Sequence, residues 1–310
     1  MENFDDDDRR VLSIQSHVVS GYCGNKSAVF PLQTLGFDVD FINSVQFSTH
    51  TGYPKWTGQV LNEQDLSELI EGLRYNNLLC QYTHLLTGYA RSASFLQAMN
   101  SVIKEIKSKA PNVVYLCDPV LGDNGKMYVP EELLSVYKEK IIPLADIICP
   151  NQFEAELLSG IKITGIETAL KAIDHLHSLG IKTVIISSTD EGFNGTNKRL
   201  MTIGSSELPG PSGQIRQLFK LEIPRFEANF TGTGDLFAAL FLAWFTKTKF
   251  DLKTTMENVT ATLNSIICRT FNHANNKPRG LELPFNRELQ IIKCRDDILE
   301  PKIQFFAELI

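Results

Sequence analysis

The stretch Thr231-Gly232-Thr233-Gly234-Asp235-Leu236-Phe237-Ala238-Ala239 joins two glycines, one carboxylate and the start of an apolar run. Every residue from Leu236 to Phe245 is apolar, too short a run to span a bilayer but suited to a helix buried on all sides. At the N-terminus of such a helix, near Gly234 and Asp235, the first amides lack partners within the helix, and glycines let the backbone approach an anion closely. That arrangement cradles phosphate. A carboxylate placed there would repel phosphate, unless it takes a proton from a hydroxyl attacking the phosphoryl group. Aspartate also caps helices well, so the motif alone leaves a capping role open.

Working outward, the chain reads as strand and helix units in series. Val11 to Gln15 is a buried strand delivering Ser16 and His17 to its C-terminal end, the end that faces ligand in open α/β sheets. The Gly21 to Ser27 segment is no P-loop, because Ser20 and Asn25 stand where that pattern needs glycine; it reads as a turn into a helix that stops at Gly36. Phe37 to Val45 is a second strand. The following Gln46 to Trp56 gathers aromatics, hydroxyls and His50, a suitable surface for a flat polar ring, although a hairpin with packing aromatics reads equally well. Asn62 caps a helix from Glu63 to about Arg74. Thr83 to Thr87 is a strand, and Phe95, Met99, Val102, Ile103 and Ile106 mark one face of a crossover helix.

Val113 to Cys117 leads into Asp118 and Asp123, two carboxylates at a strand end that can hold a divalent cation or simply sit in a turn. Asn124-Gly125 is a tight turn. Asp146 to Cys149 is a short strand, after which Asn151 and Glu154 form a capping-box pattern. Ile166 to Leu179 is a helix whose His175 and His177 diverge and read as surface residues. Thr183 to Ile186 delivers Ser187 and Ser188. Lys198 to Thr202 and Phe219 to Ile223 read as an antiparallel edge joined by the loop Ser205 to Gly213, and Leu252 to about Asn272 as a long helix. Arg279 to Ile310 shows short elements and no chemistry.

A net charge of −6 without a basic run argues against nucleic-acid or anionic-membrane partners, and 43% hydrophobic content suffices for a core. Met1 to Arg10, with four consecutive aspartates, is wrong for a signal peptide and reads as a solvated acidic tail. Cysteines 23, 80, 117, 149, 268 and 294 show no paired spacing, which fits reduced cytosol. With no repeat or linker, the expectation is one domain over residues 11–310: a doubly wound, mostly parallel central sheet flanked by helices, with a small antiparallel edge or flap.

Gly232-Thr233-Gly234-Asp235 opening a buried helix resembles the signature of the ribokinase superfamily. Together with Ser13-Ile14-Gln15-Ser16-His17, Val45 to Ser48, His50-Thr51-Gly52-Tyr53, Leu86 to Tyr89, Cys117 to Asp123 and Pro150 to Glu156, the order of motifs is similar to the eukaryotic-type pyridoxal kinase family from about Arg10 onward. The resemblance implies phosphoryl transfer from ATP to the 5'-hydroxymethyl group of pyridoxal, pyridoxine and pyridoxamine. Asp235 would be the general base, and the amides of Gly232 to Gly234 would stabilise the transferring group. Ser16 and Thr51 would hydrogen-bond the pyridine ring, with Phe47 and Tyr89 against its faces. Asp118, Asn151, Glu154, Ser187, Ser188, Thr233 and the backbone from Phe226 to Ala228 match positions around ATP and its cations, with Asp123 and Tyr128 close to the phosphates. Mg²⁺ with ATP, a K⁺ or Na⁺ ion and a cytosolic homodimer are implied as well. Cys149 and Ser187 stand where threonines are usual beside the monovalent cation, and a thiol is a poor ligand for K⁺, so altered K⁺ activation is expected. Asn124-Gly125-Lys126 reaches Met127 quickly, implying a short cover over ATP. A sibling hydroxymethylpyrimidine or sugar kinase and a catalytically silent vitamin B6 carrier are the alternatives.

Overall fold

Strands His84–Thr87 and Val114–Cys117 are buried at every residue, the state that continuous apolar runs adopt between two helical layers. They lie at the centre of a sheet in the computed structural model, which describes residues 9–189, 199–209, 213 and 216–310. In chain order the strands are β1 Arg10–Val18, β2 Asp38–Phe47, β3 Gly58–Val60, β4 His84–Thr87, β5 Val114–Cys117, β6 Gly122–Asp123, β7 Lys126–Met127, β8 Ile147–Ile148, β9 Thr183–Thr189, β10 Arg199–Ser206, β11 Gln217–Pro224 and β12 Glu308–Leu309. The helices are α1 Asn25–Thr34, α2 Glu63–Tyr75, α3 Ala93–Lys109, α4 Glu132–Val136, α5 Gln152–Ser159, α6 Ile166–Ser178, α7 Thr233–Lys247, α8 Leu252–Asn275 and α9 Arg295–Leu299.

The 10-stranded sheet runs β12-β11-β10-β9-β8-β5-β4-β1-β2-β3, and β6 pairs with β7 in a separate hairpin. From β2 to β9 the neighbours are parallel, whereas β3 and the β10, β11, β12 edge are antiparallel. The chain builds outward from β1 in one direction to β2, then returns to its other side with β4. Strand order therefore reverses between β1 and β4, and a crevice opens at their C-terminal ends. One face of the sheet packs on α2 to α6, the other on α1, α7, α8 and α9.

Helix α7 is buried continuously from Asp235 to Ala243, as its apolar run requires, and lies against α1 and α8. His84 fastens it to the sheet: Nε2 is 2.9 Å from Thr246 Oγ1, and burial depresses the imidazole to about 3, so it stays neutral.

Several expected boundaries move. Arg10 belongs to β1, hydrogen-bonding Asp38 at 2.5 Å, and not to the tail expected over 1–10; residues 1–8 of that expectation lie outside the described residues. β1 extends to Val18 through a register shift between Gln15 and Ser16. β10 continues to Ser206 because β9 and β11 pair with it along that length, while Lys198 and much of the expected loop lie outside the described residues. His177 is buried rather than a surface residue: its ring bridges Ile181 O at 2.8 Å and Ser205 Oγ at 2.9 Å, while His175 is exposed.

Candidate active site

The head of α7 packs against the turn between β1 and α1. Gly232 is the N-cap, left-handed at φ 83°, and a Cβ there would lie 2.3 Å from Tyr22 O, so only glycine fits. Asp235 sits in the first turn and does not cap the helix; its Oδ2 accepts from the Gly24 amide at 2.7 Å. The capping alternative is thereby removed. Gly24 is glycine for its own reason, since at φ 56° a Cβ would meet Ser16 O at 1.9 Å. Burial raises the Asp235 carboxyl, opposed by the Gly24 amide and the Cys23 thiol. A buried carboxylate with raised proton affinity, beside unpartnered helix amides, is furnished for general-base chemistry at an anion.

Across the crevice, Asp118 follows β5 and is 5% exposed. A Cβ on Gly234 would lie 3.9 Å from Asp118 Oδ2, which places this carboxylate at the helix head. Burial, then Glu154 and Asp235, push Asp118 well above the ordinary carboxylate range. Glu154 is raised to about 7 by burial even though three amides donate to it: Asn151 at 2.9 Å, Leu121 at 2.9 Å and Gly122 at 3.3 Å. Asn151 completes the capping box by accepting from the Glu154 amide, and donates through Nδ2 to Gly122 O at 2.8 Å. These bonds tie the β6–β7 hairpin to the start of α5. Asp123 closes the hairpin turn by accepting from the Asn124 amide at 2.8 Å, and Tyr128 follows it, its ring largely exposed but its phenol raised to about 12 by partial desolvation, then Asp123 and Glu154.

Among the described residues no three histidine, cysteine, aspartate or glutamate side chains converge as a metal cage. The buried, mutually repelling Asp118 and Glu154 nevertheless suit a magnesium ion, which takes one or two carboxylates and completes its shell with phosphate and water. Cys149 is buried, its thiol pushed up by burial and then Asp118, so it stays protonated and a weak ligand. Ser187 donates to Pro150 O through its amide at 2.9 Å and its hydroxyl at 3.3 Å. Ser188 follows on β9, half-buried. Phe226 contacts Phe271 with ring centroids 5.5 Å apart, Ala228 is half-buried, and Thr233 Oγ1 donates to Phe230 O at 3.4 Å.

On the other side of the helix head, Ser16 is buried at the end of β1 with its Oγ 3.8 Å from Cys23 Sγ. Phe47 is 5% exposed because Trp56 lies across it at 4.8 Å, and the Arg91 guanidinium stands over both rings. Tyr89 packs on the same cluster. Thr51 is exposed in the loop between β2 and β3, while its neighbour His50 is buried.

A family model described as phosphomethylpyrimidine kinase matches residues 85–278. The chain is 49% identical to the pyridoxal kinase of Homo sapiens over 308 residues, covering 97% of this chain and 98% of that one. It is also 49% identical to the pyridoxal kinase of Arabidopsis thaliana, with 97% and 95% covered. The structure of pyridoxal kinase from Leishmania donovani in complex with ADP and pyridoxine superimposes with a TM-score of 0.87 at 33% identity, covering 99% of this chain and 100% of that one. This chain belongs to the pyridoxal kinase family. It is thus a kinase, a phosphotransferase with the mixed α/β fold expected from the order of its motifs.

Against that background, two groups stand out that the sequence reading does not single out. Glu288, from the segment expected to carry no chemistry, is 7% exposed and accepts from the Tyr22 amide at 2.9 Å and the Tyr53 hydroxyl at 2.8 Å, with His50 Nε2 at 3.3 Å. Arg91 was likewise not singled out. The one available signal for Glu288 was a charge followed by Leu289 and Ile291, both fully buried.

Proposed function

We propose that the chain transfers the γ-phosphoryl group of ATP to the 5'-hydroxymethyl group of pyridoxal, pyridoxine and pyridoxamine, with residues 11–310 acting as one kinase domain. The observation that carries this reading is the Asp235 carboxylate, buried beside the amides of Gly232 to Gly234 and aligned by Gly24. Asp235 takes the proton of the attacking hydroxyl. The helix-head amides stabilise charge on the transferring group, and the fixed alignment of the partners supplies much of the rate effect.

Ser16 and Thr51 bind polar atoms of the pyridine ring, and Phe47 and Tyr89 provide its apolar walls. Asp118, Asp123, Asn151, Tyr128, Glu154, Ser187, Ser188, Thr233, Phe226 and Ala228 surround the nucleotide. Asp118, with Glu154 and Asp123 nearby, would hold Mg²⁺, whose chemistry there is to neutralise the phosphate oxygens. Support from relatives lies in the Leishmania donovani protein, solved with ADP and pyridoxamine or pyridoxine. Among the described residues no helix is long and apolar enough to cross a membrane, and the reading includes a cytosolic homodimer that binds neither nucleic acid nor membranes.

Cys149 and Ser187 sit beside the proposed monovalent site, where the protonated thiol favours weak or altered activation by K⁺ or Na⁺; a full, family-like response to K⁺ in steady-state assays would refute that part. The phosphomethylpyrimidine kinase match supports a second reading, a hydroxymethylpyrimidine kinase. Purified protein assayed with MgATP and pyridoxal, hydroxymethylpyrimidine or a sugar alcohol separates them: pyridoxal should be phosphorylated fastest. Equal or better turnover of another acceptor would displace the proposal, and binding without ADP formation would indicate a silent carrier.

A further inference from the structure

The carboxylate of Glu288 joins the β1–α1 turn, through the Tyr22 amide, to the loop between β2 and β3, through the Tyr53 hydroxyl, and the surrounding geometry is built to receive it. A Cβ on Gly21 would lie 2.3 Å from Glu288 Oε1, so the β1–α1 turn admits the carboxylate only because residue 21 is glycine. The Gly52 amide donates to His50 Nδ1 at 3.1 Å, which makes Nδ1 the acceptor and leaves Nε2–H facing Glu288. Burial and Glu288 together raise the Tyr53 phenol, which remains a donor. Glu288 is itself held firmly. Leu289 and Ile291 are buried in the core, Asn286 Nδ2 donates to Pro278 O at 3.0 Å and Gly280 O at 2.8 Å, and Arg287 Nη1 donates to Asn229 O at 3.1 Å, just before the Thr231 to Gly234 loop.

We propose that Glu288 is a positioning residue for the acceptor substrate, fixing the His50-Thr51-Gly52-Tyr53 turn against the same β1–α1 turn whose Gly24 amide aligns Asp235. This rests on the vitamin B6 kinase reading above. A loop held this way loses no further freedom when the acceptor binds, so the effect belongs in acceptor affinity and not in ATP affinity. A residue needed only for folding would disturb both substrates alike.

The test is steady-state kinetics of the full chain with pyridoxal and MgATP for the wild type, Glu288→Ala, Glu288→Gln and Tyr53→Phe. Losing a hydrogen bond to a buried charge should raise KM for pyridoxal about tenfold or more in Glu288→Ala, with KM for ATP within about twofold of wild type. Glu288→Gln, still able to accept from the Tyr22 amide, should recover part of that loss. Tyr53→Phe deletes a single hydroxyl and decides the matter if Glu288→Ala does not fold; it should raise KM for pyridoxal about threefold. Unchanged KM for pyridoxal, or equal increases for both substrates, overturns the role of Glu288. Failure of the wild type to phosphorylate pyridoxal overturns the functional reading instead.

Discussion

On the proposed acceptor side of the cleft, the hydrogen bonds around Asp235 and Glu288 join distant residues: Gly24 to Asp235 across 211 positions, Tyr53 to Glu288 across 235 and Tyr22 to Glu288 across 266. On the proposed nucleotide side, the hydrogen bonds around the start of α5 are of shorter range. Asn151 and Glu154 exchange bonds 3 residues apart, Asp123 closes its own turn, and the reach from Leu121 to Glu154 is 33. The short set forms as soon as its own hairpin and helix exist. The long set requires β1, α7 and the segment after α8 all to be in place, and it holds Asp235, the proposed base, and the loop near it in one geometry before reaction.

The largest effect is expected on the acceptor side. Asp235→Asn keeps an acceptor for the Gly24 amide but cannot take a proton, so kcat should fall by about 10²-fold or more while both substrates still bind. Single-turnover and binding measurements check this, and near-normal turnover would remove Asp235 from the mechanism. Gly24→Ala tests the long brace: the Cβ would overlap Ser16 O, forcing the turn and the Asp235 alignment to shift, with kcat lowered about tenfold or more. If kcat holds, Asp235 does not depend on this brace.

On the other side, the expected effects are smaller and of a different kind. Glu154 titrates at about 7 in the fold instead of 4.5, so the native state binds its proton more tightly than the unfolded chain. Its contribution to stability is complete below about 4.5 and is lost as pH rises through about 7, and Asp118, raised likewise, acts with the same sign. Calorimetry should show Tm falling by several degrees over that window, and Glu154→Gln should reduce the slope. A flat profile would contradict the buried-acid description. Asn151→Ala should cost about 1 kcal/mol in denaturant unfolding and raise KM for ATP about three- to fivefold, leaving KM for pyridoxal unchanged. Should pyridoxal KM rise equally, the two sides are not independently supported.

The same contrast explains what could be read in the sequence. The capping box at Asn151 and Glu154, the cap at Asn62, the Asn124-Gly125 turn and the apolar run of α7 carry their information within a few residues, so residue type and spacing suffice. Asp235 was legible because the helix start and the glycines adjoin it. The Gly24 amide as its partner was not, since no local rule pairs positions 24 and 235. Glu288 and the buried ring of His177 were missed for the same reason, as each acquires its partners only when separate elements meet. Phe47 is legible as one of several aromatics between Phe47 and Trp56, but its cover by Trp56 depends on how the β2–β3 loop folds back.

The burial of α7 on all sides also bears on how activity arises during folding. A helix with no solvent-facing stripe gains little by forming alone and has no route to open without disrupting both neighbouring layers. Amide hydrogens from Phe237 to Ala243 should therefore exchange at the global unfolding limit, the slowest in the chain. Asp235, the proposed base, thus stands on the element least able to loosen locally, and its setting is lost only when the whole fold is lost.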